Sequence, residues 1–159
     1  RLAAFKACGI AVDHLQSDCL ALHKAIFHEL WSGGPTDGPE GVCLADVGSS
    51  STNVVISSPQ CVWFRTFGQG GANFTNVLVK QFNLTYQQAE QIMREPAKAR
   101  RYGQVREAVQ SVFTQIAGEL DRSLANYHKL FPDHPVEQIY GLGGGFQAHG
   151  LLRHLRFGR

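Results

Sequence analysis

The segment Leu44-Ala45-Asp46-Val47-Gly48-Ser49-Ser50-Ser51-Thr52 decides how the rest of this chain is interpreted. Its first half is an apolar strand with one carboxylate, Asp46, near its end, and its second half is a turn of small residues that exposes backbone N–H groups and hydroxyls. Such a turn suits a phosphate chain and its metal, because Asp46 can hold Mg²⁺ through water while the turn receives phosphate oxygens. An ordinary hairpin with a polar turn explains the same residues, so the segment alone leaves both interpretations open.

The flanking sequence predicts an α/β fold with a mixed sheet and packed helices, in the order βββαααβα. Three strands joined by short turns form an antiparallel meander, and a stripe of apolar residues sustained over about seven turns predicts one long helix. The predicted strands are Val42–Val47, Asn53–Ser57, Cys61–Phe67 and Val136–Leu142, and the predicted helices are about Ala72–Phe82, Leu84–Met93, Gln104–Leu130 and His149–Phe157.

The segment upstream of the meander belongs to a different part of the predicted organisation. Leu2–Cys8 is compatible with a helix, Ile10–Leu15 alternates like a strand, and Ser17 or Asp18 can cap a further helix. A cluster of Gly and Pro over residues 33–41 then marks a boundary. Because the chain opens with Arg rather than Met and no strand follows the last helix, we expect a piece of a longer chain.

A second glycine-rich segment, Gly143-Gly144-Gly145, stands between a predicted strand and a helix. Glycines there let the backbone approach a planar or phosphorylated ligand, although a flexible connection explains them equally well. A dinucleotide-binding turn is excluded, because Phe146 occupies the position of its third glycine.

Composition excludes several classes of protein. The 159 residues carry a formal charge of +2, too balanced for a nucleic-acid binder driven by bulk charge, and no stretch approaches the ~18 apolar residues of a membrane span. The four cysteines lack the spacing of a zinc site. One local basic run can meet phosphate or anionic lipid or can be a solvated connection; its residues are Lys98, Arg100, Arg101 and Arg106.

The order and separation of these motifs resemble the actin-like ATPase superfamily, and within it the PilM-type pilus-assembly ATPases, relatives of the cell-division protein FtsA. The resemblance covers nearly the whole chain. Its matching segments are Asp46–Thr52, Gly68-Gln69-Gly70-Gly71, Leu84-Thr85 with Ala89-Glu90, Glu119–Leu124 and Gly143–Gly145.

The resemblance implies an actin-like (ribonuclease H-like) ATPase lobe that binds ATP with Mg²⁺. Residues 1–32 would be a remnant of the first lobe with the inter-lobe helix, 33–41 a linker, and 42–159 the second lobe, incomplete at its C-terminus. The implied cofactor-binding residues are the second phosphate loop, the nucleotide-facing helix and the adenosine loop, with Asp46 also meeting Mg²⁺: Asp46, Gly48, Ser49, Ser50, Ser51, Thr52, Glu90, Gly143, Gly144 and Gly145.

The resemblance also implies a biological setting. The protein would lie in the cytoplasm at the inner face of the cytoplasmic membrane, without spanning it, and bind a PilN-like inner-membrane pilus assembly protein. Self-association through exposed apolar surface is a further expectation, and no nucleic-acid partner is expected. Any ATPase activity would be weak and would need catalytic residues of the first lobe.

Two departures from the family pattern favour an alternative, a scaffold module that keeps the fold without using nucleotide. Met93 stands where a lysine is usual, and Gly141-Leu142 stands where a larger apolar residue and a Ser or Thr are commoner. A metabolic kinase of the same superfamily ranks last, because no carboxylate and amide cluster supplies a sugar or acid pocket.

Overall fold

The computed structural model describes residues 2–34, 37–95 and 102–155. Its secondary structure comprises four strands, six α-helices and a 3₁₀ turn within those ranges. In chain order these are α1 Leu2–Ala7, α2 Asp18–Trp31, β1 Val42–Val47, β2 Thr52–Ser57, β3 Val62–Phe67, α3 Gly71–Phe82, α4 Tyr86–Arg94, α5 Tyr102–Leu130, β4 Gln138–Leu142, the 3₁₀ turn Gly144–Gln147 and α6 Leu151–His154.

The strands form one mixed sheet in the order β3-β2-β1-β4. β1 pairs antiparallel with β2 and parallel with β4, and β2 pairs antiparallel with β3. The predicted meander and mixed sheet are therefore confirmed. The parallel pairing places the end of β4 beside the end of β1, so that Leu142 lies opposite Asp46.

Helices cover the two faces of the sheet unequally. The main core lies on the face of Cys43, Ala45 and Val47, where α3 and α5 pack and α4 packs against α3. Burial there raises the pKa of the Cys43 thiol to about 12, as an apolar environment disfavours a thiolate. The opposite face carries a smaller cluster around Leu44 and Val55, which α2 covers.

The start of α2 is fixed to β2 by polar contacts. Ser17 accepts a hydrogen bond from the Leu20 N–H as the cap of α2. Asp18 accepts from its neighbour's backbone and, at 2.9 Å, from the Asn53 side-chain amide, and these bonds lower the pKa of the Asp18 carboxyl. Asn53 in turn accepts a hydrogen bond from the Thr66 hydroxyl of β3.

Two predictions about local structure need correction. Residues 10–15 form no strand, because no strand of the described chain runs beside them and the segment lies exposed, with Leu15 at 78%. Alternating apolar and polar residues do not make a strand by themselves, because a strand needs a neighbouring strand for its backbone hydrogen bonds. The last helix is shorter than predicted: α6 spans only Leu151–His154 after a left-handed Gly150, and Phe157 lies outside the described residues.

Within the described ranges, no helix combines the length and apolar character needed to cross a membrane.

Candidate functional site

The hairpin turn between β1 and β2 is closed by its own backbone. The Gly48 N–H donates a hydrogen bond of 2.9 Å to the Ser51 carbonyl, next to the last paired residues of the hairpin, Val47 and Thr52. Ser49 and Ser50 at the tip are exposed. Their small side chains therefore leave the turn open to an approaching ligand.

The N-terminus of α3 is fastened to this turn. The Gly71 N–H donates to the Gly48 carbonyl at 2.8 Å, and the Ala72 N–H donates to the Ser49 carbonyl at 2.7 Å. The first N–H groups of a helix have no partner inside the helix, so the turn satisfies two of them. We call this pair of hydrogen bonds the backbone clasp.

The clasp depends on the glycine that precedes α3. A Cβ atom at Gly70 would stand 2.7 Å from the carbonyl oxygens of both Gly48 and Ser49, which is closer than a side chain can come. Thr52 supports the same junction: it is fully buried, and its hydroxyl donates to the Gln69 carbonyl at 2.7 Å. Thr52 therefore fixes the end of the turn to the residue that precedes Gly70.

The glycine segment after β4 meets the end of β1. Gly143 has φ +88° and ψ 162°, a conformation available almost only to glycine. A Cβ atom there would lie 2.5 Å from both the Asp46 Oδ1 atom and the Val47 carbonyl oxygen. Gly145 is buried directly against Val47, whereas Gly144 faces open space.

Helix α4 supplies a third wall and begins at a complete capping box. Thr85 accepts a hydrogen bond from the Gln88 N–H, and the Gln88 side chain accepts one from the Thr85 N–H. Residues at steps of three and four along α4 share one face, and that face carries Tyr86, Glu90, Met93 and Arg94.

These walls enclose an open cleft of about 220 Å³. The hairpin turn, the start of α3, α4 and the segment after β4 all contribute to it. Its lining residues are Gly48, Ser49, Gly71, Ala72, Phe74, Thr75, Tyr86, Glu90, Met93, Arg94, Gly144, Gly145, Gln147 and Ala148.

The structure brings half of the ten sequence-predicted site residues into this lining, namely Gly48, Ser49, Glu90, Gly144 and Gly145. The other five lie at its edge or behind it: Asp46 is half-buried at the end of β1, Gly143 lies beside Asp46, Ser50 and Ser51 belong to the turn, and Thr52 is buried.

Other residues also line the cleft without having been predicted from the sequence, among them Tyr86, Thr75 and Gln147. Tyr86 could have been predicted, because it lies four residues before Glu90 and therefore on the same face of α4. Thr75 and Gln147 carried no comparable signal, since they enter the cleft only through the packing of α3 and the 3₁₀ turn.

A family model described as type IV pilus assembly protein PilM matches residues 1–157. The chain belongs to the PilM family. No curated protein sequence matches it significantly.

Solved structures agree with this assignment. A chain of a PilM–PilN type IV pilus biogenesis complex superposes with a TM-score of 0.78 at 25% identity, over 97% of this chain and 44% of that one. This PilM-family chain thus spans less than half the length of that relative. MreB5 of Spiroplasma citri bound to ADP gives a TM-score of 0.66 at 17% identity, covering 94% of this chain and 54% of that chain.

A third similar structure is the ethanolamine utilization protein EutJ from Carboxydothermus hydrogenoformans. It has a TM-score of 0.55 at 15% identity, with 74% of this chain and 41% of that chain covered. The last two likenesses concern the fold, which is that of the actin-like ATPases. The fold class expected from the sequence is confirmed.

The residues of this PilM-family chain are compatible with a nucleotide and its magnesium ion. Gly144 and the turn residues Gly48 and Ser49 let backbone come close to a ligand without side chains in the way. Asp46 is the one carboxylate at the end of β1, and no group of three or more His, Cys, Asp or Glu residues in the described chain forms a metal cluster. A single carboxylate suits Mg²⁺, which keeps most of its waters.

Proposed function

We propose that residues 42–159 are the nucleotide-binding second lobe of an actin-like type IV pilus assembly protein. In this proposal residues 1–32 are the end of the first lobe and the inter-lobe helix, and residues 33–41 link the two. Family membership supports the pilus role, and the actin-like fold supports the use of ATP with Mg²⁺.

The observation that carries the proposal is the meeting of three chain segments around one cleft. The hairpin turn, the segment Gly143–Gly145 and the α4 face of Glu90 are distant in sequence. The first two were singled out on their own residues, and Glu90 through the family resemblance. At about 220 Å³ the cleft is smaller than the ~300–1,000 Å³ of typical small-molecule sites. A nucleotide would therefore be held between this wall and a second lobe.

Each predicted residue has a role in this scheme. Gly48 to Ser51 would receive phosphate oxygens, Glu90 would contact the ribose or base, and Gly144 with Gly145 would support the adenosine. Asp46 would hold the Mg²⁺ through water. The metal, when bound, neutralises phosphate charge, while Thr52 and Gly143 keep the two loops in place.

The nucleotide would act by closing the lobes and shifting the population that binds a partner. The relative solved with PilN suggests a PilN-like inner-membrane partner for this chain. That partner would hold the protein at the inner face of the cytoplasmic membrane. Any hydrolysis would be weak and would need groups from the first lobe.

A nucleotide-independent scaffold of the same fold is the second candidate, and one observation favours it. Met93 lines the cleft at the position where the family usually has lysine, so the cleft presents a thioether in place of an ammonium group. Leu142, beside the glycine segment, is 37% exposed and offers no hydroxyl. This candidate predicts partner binding that is indifferent to ATP.

Titration of fluorescent Mg·ATP into the full-length protein separates the two candidates. Asp46→Ala is expected to abolish binding, whereas Asp133→Ala, the same substitution at an exposed loop carboxylate, should leave it unchanged. Equal affinity in wild type and Asp46→Ala would refute the role of Asp46. No binding by the wild type would favour the scaffold, and Met93→Lys would then be the variant in which to look for restored binding.

A further inference from the structure

A second pocket lies beyond the cleft, between the start of α5 and the turn into α6. Its volume is about 170 Å³. The lining residues are Tyr102, Arg106, Gln110, Phe113, His149, Gly150, Arg153 and His154, none of which lines the cleft proposed for the nucleotide. We call it the basic pocket.

The charge of the basic pocket is one-sided. Arg106 and Arg153 are exposed, and neither has an ion-pair partner among the described residues. No Asp or Glu of the described chain is in the lining. Besides the two arginines, the lining contains two histidines and two neutral hydrogen-bond donors, the Tyr102 hydroxyl and the Gln110 amide. Two guanidinium groups that line one pocket without a carboxylate repel one another, and an anion between them would relieve that repulsion.

The two sides of the pocket are held by packing. On α5, Arg106, Gln110 and Phe113 follow one another at steps of four and three, so they lie on one face of the helix. On the other side, the left-handed Gly150, with φ +101°, turns the chain into α6, and His154 packs against the Phe113 ring with centroids 5.9 Å apart. The His154 Nε2 atom also lies 3.3 Å from the Thr114 hydroxyl oxygen.

From this arrangement we propose that the basic pocket binds a phosphate monoester. A phosphate group carries −1.5 to −2 charges at pH 7, which matches the two arginines, and its three terminal oxygens can accept from both guanidinium forks at once. The volume leaves room for a small group attached to the phosphate. The phosphate can belong to a free phosphorylated molecule or to the headgroup of phosphatidic acid, which is itself a phosphate monoester.

The test uses full-length protein without added nucleotide, and a matched pair of variants separates binding at the basic pocket from binding elsewhere. One arm titrates inorganic phosphate by calorimetry at fixed ionic strength. The other measures co-sedimentation with vesicles of phosphatidylcholine that contain, or lack, phosphatidic acid. The variant Arg106→Gln/Arg153→Gln is compared with Lys80→Gln/Lys129→Gln, which removes the same charge from exposed positions on α3 and α5.

Whichever of the two probes the wild type binds, the arginine variant should bind it roughly tenfold to a hundredfold more weakly, because charge-assisted hydrogen bonds are lost. The lysine variant should bind it like wild type. Binding of inorganic phosphate identifies a free ligand, and binding only to vesicles with phosphatidic acid identifies a headgroup. Equal losses in the two variants, or no binding of either probe by the wild type, would overturn the proposal. Unchanged melting temperatures in both variants show that the fold is intact.

Discussion

At the scale of single residues, the adjacent glycines Gly143 and Gly144 have opposite requirements. Gly143 occupies a backbone region closed to other residues, and a Cβ atom would collide with Asp46 and Val47. Gly144 begins the 3₁₀ turn, and nothing lies within 4 Å of the position of a Cβ atom. A side chain at Gly143 would therefore disturb the conformation of the loop, whereas a side chain at Gly144 would affect only access to the cleft.

Gly143→Ala should destabilise the protein by roughly 2–6 kcal/mol, from backbone strain and the collision together. Gly144→Ala, its matched control, should change the free energy of unfolding by no more than ~0.5 kcal/mol. Urea unfolding measures both. Similar stabilities for the two variants would mean that the glycine segment is not held in the conformation described.

Residues whose chemistry is local could be predicted from the sequence, whereas residues whose role depends on packing could not. Glu90 was found through a motif of the family resemblance, and its helical neighbour Met93 was noted as a departure from the family pattern. Thr52 illustrates the limit, because its hydroxyl suggested a ligand contact, yet the fold buries it and directs it to the Gln69 carbonyl. Direction and burial are properties of the packed chain.

At the scale of elements, α4 carries Glu90 to the cleft and depends on its capping box. Thr85→Ala should destabilise the protein by about 1 kcal/mol, because the Gln88 N–H loses its acceptor. Ser111→Ala is the control, since Ser111 lies inside α5 and alanine is a better helix former there. Chemical denaturation compares the two. If Thr85→Ala left the free energy of unfolding unchanged, tertiary packing alone would hold the start of α4.

One ion-pair group ties β3 to α5. The Glu119 carboxylate accepts from Arg122 on its own helix and, at 2.7 Å, from the Arg65 guanidinium of β3. The pKa of the Glu119 carboxyl is lowered, chiefly by the hydrogen bond from Arg122. Desolvation opposes this shift, and Arg65 adds to it. Because the folded pKa lies below the ordinary value of 4.5, the stabilisation is present above that pH and disappears as the pH falls through the folded pKa.

Glu119→Gln should therefore lower the free energy of unfolding by about 1 kcal/mol at pH 7, and the difference from wild type should shrink in acid. Asp121→Asn is the control, because Asp121 is an exposed carboxylate on the same helix that forms no ion pair with another described residue, and it should change the free energy of unfolding at pH 7 by no more than ~0.5 kcal/mol. Urea unfolding at pH 7 and at the lowest pH where the chain stays folded supplies the comparison. A Glu119→Gln difference that stayed constant between these pH values would contradict the assignment.

The elements themselves could largely be predicted from the sequence. β1 was predicted with its observed bounds, Val42–Val47, and α3 and α5 to within one or two residues, because their apolar periodicities reflect real buried faces. The prediction of a strand at residues 10–15 was wrong for the opposite reason, since its alternating residues do not form a buried face. Its alternation is equally compatible with extended chain, and only a neighbouring strand could have made it a strand.

At the scale of the whole molecule, exposed apolar side chains concentrate in the first fifteen residues. Leu2, Phe5, Ile10, Val12 and Leu15 are each at least 40% exposed. Surface of this kind is costly in water and favours association. None of these five side chains belongs to either apolar cluster of the core, and residues 2–18 are all exposed.

The 159-residue chain should associate in a concentration-dependent way, and Phe5→Ser/Leu15→Ser should shift it toward the monomer. Leu130→Ser/Leu152→Ser, at two exposed leucines elsewhere, is the control and should have little effect. Light scattering across a dilution series gives the molar mass. A wild type that stays monomeric at high concentration would contradict this expectation.

The backbone clasp has a consequence for hydrogen exchange. Amides in the first turn of a helix ordinarily exchange with solvent quickly, because no carbonyl of the helix protects them. Here the Gly71 and Ala72 amides are protected by the Gly48 and Ser49 carbonyls of the hairpin turn, so their exchange rates report on residues that are 23 positions away in sequence. Deuterium uptake at these two amides thus offers a label-free indicator of any ligand that tightens or loosens the turn.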